Sequence, residues 1–203
     1  SNAVVVAVGD FEATAMLDMV RRHFAAIPSG EPVIRPRPVE PPQHGERRVV
    51  REGEGTTAYF TAVFHAPPPT AAEFYPLVVL DSVLTGASGL TIFGEGGTNK
   101  SSRLYRALVD SELAADVSGS IVPTVDPFVY ILGATVRAGH TPAEVEERLW
   151  VELQRVADAP ITETELTTAI KQAKAQFAYS RESVTGQAFW LGWSEILCDH
   201  AWP

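Results

Sequence analysis

The chain has 203 residues, 45% of them apolar and 20% charged, a balance that excludes a disordered polymer and requires a buried core. Sixteen basic against 25 acidic residues leave a formal charge of −9, and the cations are scattered, which argues against a nucleic-acid groove or an anionic membrane surface as partner. No apolar run approaches the ~20 residues of a membrane span, so the chain reads as soluble and no compartment follows. Its single cysteine, Cys198, supports neither an intrachain disulfide nor a cysteine-cluster metal site.

Ser1-Asn2-Ala3 has the look of a tag remnant. Val4–Val8 is a β-branched run closed by Gly9-Asp10, and Met16, Leu17, Val20, Phe24 and Ile27 then recur at helical spacing up to Pro28-Ser29-Gly30. The pattern predicts a strand followed by an Asp10-capped helix. A βα unit this short cannot bury its own apolar face, so residues 1–30 are expected to be the closing piece of an upstream domain. Residues 31–45 carry Pro32, Pro36, Pro38, Pro41 and Pro42, which forbid helix and interior strand and predict an extended linker.

The second domain is expected over residues 46–203. Arg47–Arg51 and Ala58–Phe64 read as strands around Glu52-Gly53-Glu54-Gly55. Thr70-Ala-Ala-Glu73 fits a capping box, with Pro76 placing the regular helix near that proline and onward through Leu84. Gly86–Lys100 holds five glycines, too many for a regular element and at a length where loops are often functional. A short helix capped by Ser101 follows, then an antiparallel pair, Ala115–Val122 and Phe128–Val136. Thr141-Pro-Ala-Glu144 and Thr162-Glu-Thr-Glu165 are capping boxes that open two amphipathic helices. The apolar stretch from Ala188 to Trp202 holds three of the four tryptophans.

Sequence motifs for chemistry are sparse. The histidines at 23, 44, 65, 140 and 200 are far apart, and neither HxxEH, its inverse HExxH, nor a GxSxG elbow occurs. Gly94-Glu-Gly-Gly-Thr-Asn-Lys-Ser101 approaches a phosphate-binding loop, yet Asn99 stands where that motif needs glycine and Glu95 adds negative charge. The segment reads instead as a flexible connection or one that touches a substrate. Glu144, Glu146, Glu147, Glu152, Glu163 and Glu165 read as solvated helix faces, with Glu144 and Glu165 complementing the helix dipole in the first turn.

The order of Val4-Val-Val-Ala-Val-Gly-Asp-Phe11, His23-Phe24, a proline-rich linker, Phe64-His-Ala-Pro67, a glycine-rich loop into Ser101-Ser-Arg-Leu-Tyr105, and Ile161-Thr-Glu-Thr-Glu-Leu166 resembles the insulinase-like (pitrilysin) zinc metallopeptidases, over the end of the first domain and most of the second. The resemblance implies an α+β layered domain, an antiparallel-rich sheet spanning residues 46–137 with helices packed on one face. It also implies a parent protein in which two such chains, identical or related, enclose a peptide or protein substrate. Zinc would belong to that parent, held by HxxEH and a downstream glutamate upstream of Val4, so this fragment would carry no cofactor, metal ligand or catalytic residue and be inactive alone. Many members hold substrate with an Arg and a Tyr seven residues apart; alignment on Ser102-Arg-Leu-Tyr105 places Val109 and Asp116 there. Mitochondrial processing members have a substrate-contacting glycine-rich loop before the same motif, which by resemblance makes Gly94, Gly96, Gly97, Asn99 and Lys100 candidate substrate contacts. The leading expectation is a C-terminal-domain part of a zinc-dependent peptidase, forming half of its substrate chamber; the alternative is a non-catalytic scaffold or peptide-binding subunit of the same fold.

Overall fold

A computed structural model of the chain describes residues 3–28, 30–31, 40–87, 89–90 and 100–198. It divides into two compact units, Ser1–Gly55 and Thr56–Pro203.

Among the described residues of the first unit the regular element is α1, Ala13–Phe24. Its N-cap is Glu12, without a side-chain capping bond, so Asp10 lies too far upstream to cap it. Arg21, Arg22 and His23 sit in its last turn, where the helix dipole favours cations. Residues 4–8 are not a strand, and neither are 47–51, whose Val49 and Val50 are each 80% exposed. β-propensity alone does not make a strand: the backbone must find a ladder partner, and neither run has one among the described residues. Of the proline-rich segment, residues 32–39 lie outside the described residues.

Among the described residues the second unit has a sheet of three strands, β1 (Tyr59–Ala66), β2 (Ala114–Ile121) and β3 (Phe128–Val136), antiparallel in the order β1-β3-β2. Register pairs Phe64 with Tyr130 and Ala62 with Leu132 on one side, and Gly119 with Leu132 and Val117 with Ala134 on the other. Period-two alternation therefore collects Phe60, Ala62, Phe64, Val117, Ile121, Tyr130, Leu132, Ala134 and Val136 on one face. Tyr59, Val63, Ser118 and Ser120 lie on the opposite, exposed face.

Helices cover the apolar face. They are α2 (Phe74–Leu84), α3 (Pro142–Asp158) and a π-helical turn, Tyr105–Val109, whose wide form shows in the Asp110 amide donating to the Tyr105 carbonyl at 3.1 Å. This α+β arrangement is the one expected. Phe74, Leu84, Leu104, Leu108, Val145 and Leu149 meet the sheet residues in one core. Two further helices, α4 (Glu163–Ser180) and α5 (Val184–Cys198), follow; α4 packs on α2, and Phe177 of α4 meets Trp190 of α5 edge-on at 5.0 Å.

Capping separates the right expectations from the wrong ones. Thr70–Glu73 forms no box: α2 starts after Glu73 without a side-chain cap, and Pro76 fits because the first turn needs no amide donor there. Ser101 is likewise not the cap of the π turn, which follows Leu104. Thr141–Glu144 and Thr162–Glu165 form complete reciprocal boxes. Thr141→Ala and Thr162→Ala should each lower unfolding free energy by about 1 kcal/mol, read from urea denaturation, because each strands an amide donor at a helix start.

Candidate functional site

The segment singled out by composition, Gly86–Lys100, follows α2 and precedes Arg103, and the described residues on its two flanks are its outgoing and returning feet. Gly94, Gly96, Gly97 and Asn99 lie outside the described residues; Lys100 is exposed.

The outgoing foot is a buried polar knot. Asp81, 2% exposed near the end of α2, accepts through Oδ1 from the Thr85 hydroxyl and from the Tyr130 hydroxyl of β3, both at 2.9 Å. Burial, and then the neighbouring Asp81 charge, hold the Tyr130 phenol far above its ordinary range, so it stays a donor. The Thr85 amide also closes onto the Asp81 carbonyl at 2.8 Å, and Gly86 turns the chain out of the helix with φ +101°. Opposite this knot β2 carries Gly119, where an added Cβ would stand 2.0 Å from Asp81 Oδ1 and 2.5 Å from Thr85 Oγ1. The glycine is therefore what lets α2 approach the sheet. Gly119→Ala should destabilise the domain by roughly 3 kcal/mol in chemical denaturation, since a short aspartate held by two hydroxyls cannot swing aside cheaply.

The returning foot is an ion pair. Arg103 forks onto Glu165 at the start of α4, Nε to Oε1 at 2.8 Å and Nη2 to Oε2 at 2.9 Å, with side chains 20% and 33% exposed. Glu165 Oε2 also accepts from the Thr162 amide at 3.0 Å and hydroxyl at 2.9 Å, so one carboxylate caps a helix and binds an arginine. Beside it, Glu152 is 5% exposed and takes Arg148 at 3.2 Å and Arg155 at 2.7 Å on the same oxygen. Glu152 and Glu165 are thus not solvated-face residues, which corrects the sequence expectation; periodicity marked Glu165 as a cap but could not reveal a partner 62 positions away. Ser102 Oγ, between loop and arginine, is buried without a hydrogen-bond partner among the described residues.

The Arg103 hydrogen bonds, with those of Thr162, hold the Glu165 carboxyl at about 2, well below its ordinary 4.5. A carboxyl depressed in the folded state stabilises it above the unfolded value, and that stabilisation fades as pH falls from about 4.5 towards 2. Urea midpoints should therefore separate wild type from Glu165→Gln most at pH 6 and converge near pH 2.

Val109, half-buried at the end of the π turn, packs against the core, and Asp116 is exposed on β2 beside the ladder irregularity after Ala114. No group of three or more His, Cys, Asp or Glu among the described residues could hold a metal ion, so these residues do not fit a zinc centre. No helix among them is long and apolar enough to cross a membrane.

The helix-covered antiparallel sheet, with Ser102-Arg-Leu-Tyr105 joined to Thr162-Glu-Thr-Glu165 through the Arg103–Glu165 fork, agrees with the α+β domain that the insulinase-like resemblance implies. The family model described as the Peptidase M16 inactive domain matches residues 1–173, and the chain belongs to that family. It is 26% identical over 185 residues to the zinc protease PqqE of Helicobacter pylori, covering 90% of this chain and 39% of the relative. Among solved structures, a protease from Helicobacter pylori superposes with a TM-score of 0.80 at 21% identity over 95% of this chain and 45% of its own. The periplasmic protease PqqL from Escherichia coli gives 0.59 at 18% identity, over 95% of this chain and 20% of its own. These structural likenesses show the fold, and the chain spans less than half the length of each of these relatives.

Proposed function

We propose that this chain is the C-terminal-domain part of a zinc-dependent peptidase that encloses and cleaves peptides, and that it forms half of the substrate chamber. The observation that carries the reading is the match of residues 1–173 to the M16 inactive domain, together with the zinc-protease identity of the curated relative. On this reading residues 1–30 close an upstream domain, 31–45 link, and 46–203 form the second domain. Zinc belongs to the parent protein outside these residues, and a second peptidase-like chain, identical or related, completes the enclosure.

The substrate-contacting element is the loop through Gly94, Gly96, Gly97, Asn99 and Lys100. Two anchored flanks support this role: the Asp81 knot precedes the segment and the Arg103–Glu165 fork follows it, and glycine carries no side chain to obstruct an approaching extended peptide. A second reading, a non-catalytic scaffold or peptide-binding subunit, draws on Val109 and Asp116 standing where the family resemblance places a substrate-holding Arg and Tyr.

Peptide hydrolysis by the isolated chain and by the parent protein is the test. The isolated chain should be inactive and hold no stoichiometric zinc, whereas the parent should lose activity to a chelator and regain it with zinc. In the parent, Gly96→Ala with Gly97→Ala should raise KM about fivefold and leave kcat within about twofold, the mark of a contact that binds without reacting. Hydrolysis by the isolated chain would overturn the placement of the metal. A parent active only when mixed with a different chain would select the non-catalytic reading.

A further inference from the structure

Behind the returning foot lies a cleft of about 340 Å³ lined by Arg103, Arg106, Arg148 and Arg155 against Glu152 and Glu165. Four guanidinium groups facing two carboxylates leave two positive charges in excess, in a chain whose total is −9. Both carboxylates are already committed. Glu165 is taken by the Arg103 fork, and Glu152, with a side chain 7% exposed, shares one oxygen between Arg148 and Arg155. The Arg106 guanidinium has no hydrogen bond or ion pair among the described residues. Its position on the π turn places it one helical step from Arg103, and Arg148, Glu152 and Arg155 recur along one face of α3.

Guanidinium forks match tetrahedral oxyanions, and a cluster in which four arginines face two carboxylates favours a ligand that cancels the excess charge. We propose that this cleft binds a compact doubly charged oxyanion of the phosphate class, engaged by Arg106, Arg148 and Arg155 while Arg103 stays on Glu165. Its occupant would tie Arg106 of the π turn to Arg148 and Arg155 of α3 and neutralise the excess charge between these two elements. The site is independent of the peptidase reading and needs no metal.

Thermal unfolding of the purified 203-residue chain in inorganic phosphate, in sulfate and in chloride at matched ionic strength tests the proposal, with titration calorimetry for affinity. Phosphate and sulfate should raise Tm where chloride does not, with a Kd in the millimolar range. Arg106→Gln with Arg148→Gln should weaken phosphate binding at least about tenfold. Arg137→Gln, which alters an exposed pair with Glu112 on another element, should leave it intact. Circular dichroism establishes that each variant folds; should the double variant fail, the exposed single Arg106→Gln carries the same comparison with a smaller loss. O-phosphoserine binding more tightly than phosphate assigns an ester-borne phosphoryl group, and equal or weaker binding assigns the free ion. Phosphate and sulfate acting no differently from chloride, or an effect that survives the arginine substitutions, overturns the site and leaves a structural ion network.

Discussion

The fork between Arg103 and Glu165 spans 62 positions of sequence and joins the two segments on which the rest of the second unit is hung. Glu165 is held from both sides: Thr162 fixes it as part of the α4 cap, and that fixed carboxylate then presents both oxygens to one guanidinium. A bidentate, partly buried pair of this kind differs from an exposed ion pair, because the cap has already restricted the rotamers that pairing would otherwise restrict. With Arg103 held, Leu104 and Leu108 are committed to the core, both at 0% exposure, and the π turn can feed directly into β2.

Asp81 performs the matching task on the sheet side. Its carboxylate gathers hydroxyls from its own helix and from the central strand, so the depth at which α2 sits over the sheet is set by polar geometry as well as by apolar contact. Close approach is possible only because β2 contributes no side chain at Gly119. Buried polar knots are costly when any partner is missing, which makes this one a strong determinant of a single packing arrangement. One polar junction thus precedes the glycine-rich segment and another follows it.

Which of these features could be read from the amino acids follows from the range of the interactions behind them. β3 was legible to the residue and β1 and β2 nearly so, because alternation and flanking turns are local signals; the two Thr-x-x-Glu boxes are local as well. Val4–Val8 and Arg47–Arg51 look as β-prone as β1 but lack ladder partners, and a partner is not written in the strand itself. The π geometry at Tyr105–Val109 was invisible for a similar reason, since Leu104, Tyr105 and Leu108 satisfy α and π spacing alike. Composition could not tell which of six glutamates would be buried, and Glu152 owes its burial to arginines one turn away on its own helix. The family resemblance reached further than periodicity because it encoded the order of segments, and the fold brings two of them, Ser-Arg-Leu-Tyr and Thr-Glu-Thr-Glu, into contact.

The π turn shows why those segments must be matched as a pair. A turn one residue wider than an α-helical one shifts the phase of everything after it, so Leu104 and Leu108 join the core while Arg103, Arg106 and Ala107 line the cleft. Such a turn is rare and occurs mostly as a single turn within a helix. Here its exit is secured locally: the Ser111 hydroxyl donates to the Ala107 carbonyl at 2.6 Å, and Glu112 takes a left-handed φ of 65° that redirects the chain into β2. Its entrance is secured by Arg103. Removing that guanidinium would release the constraint that keeps the wide turn in phase, so the apolar face of this segment and the cationic wall of the cleft depend on the same bond.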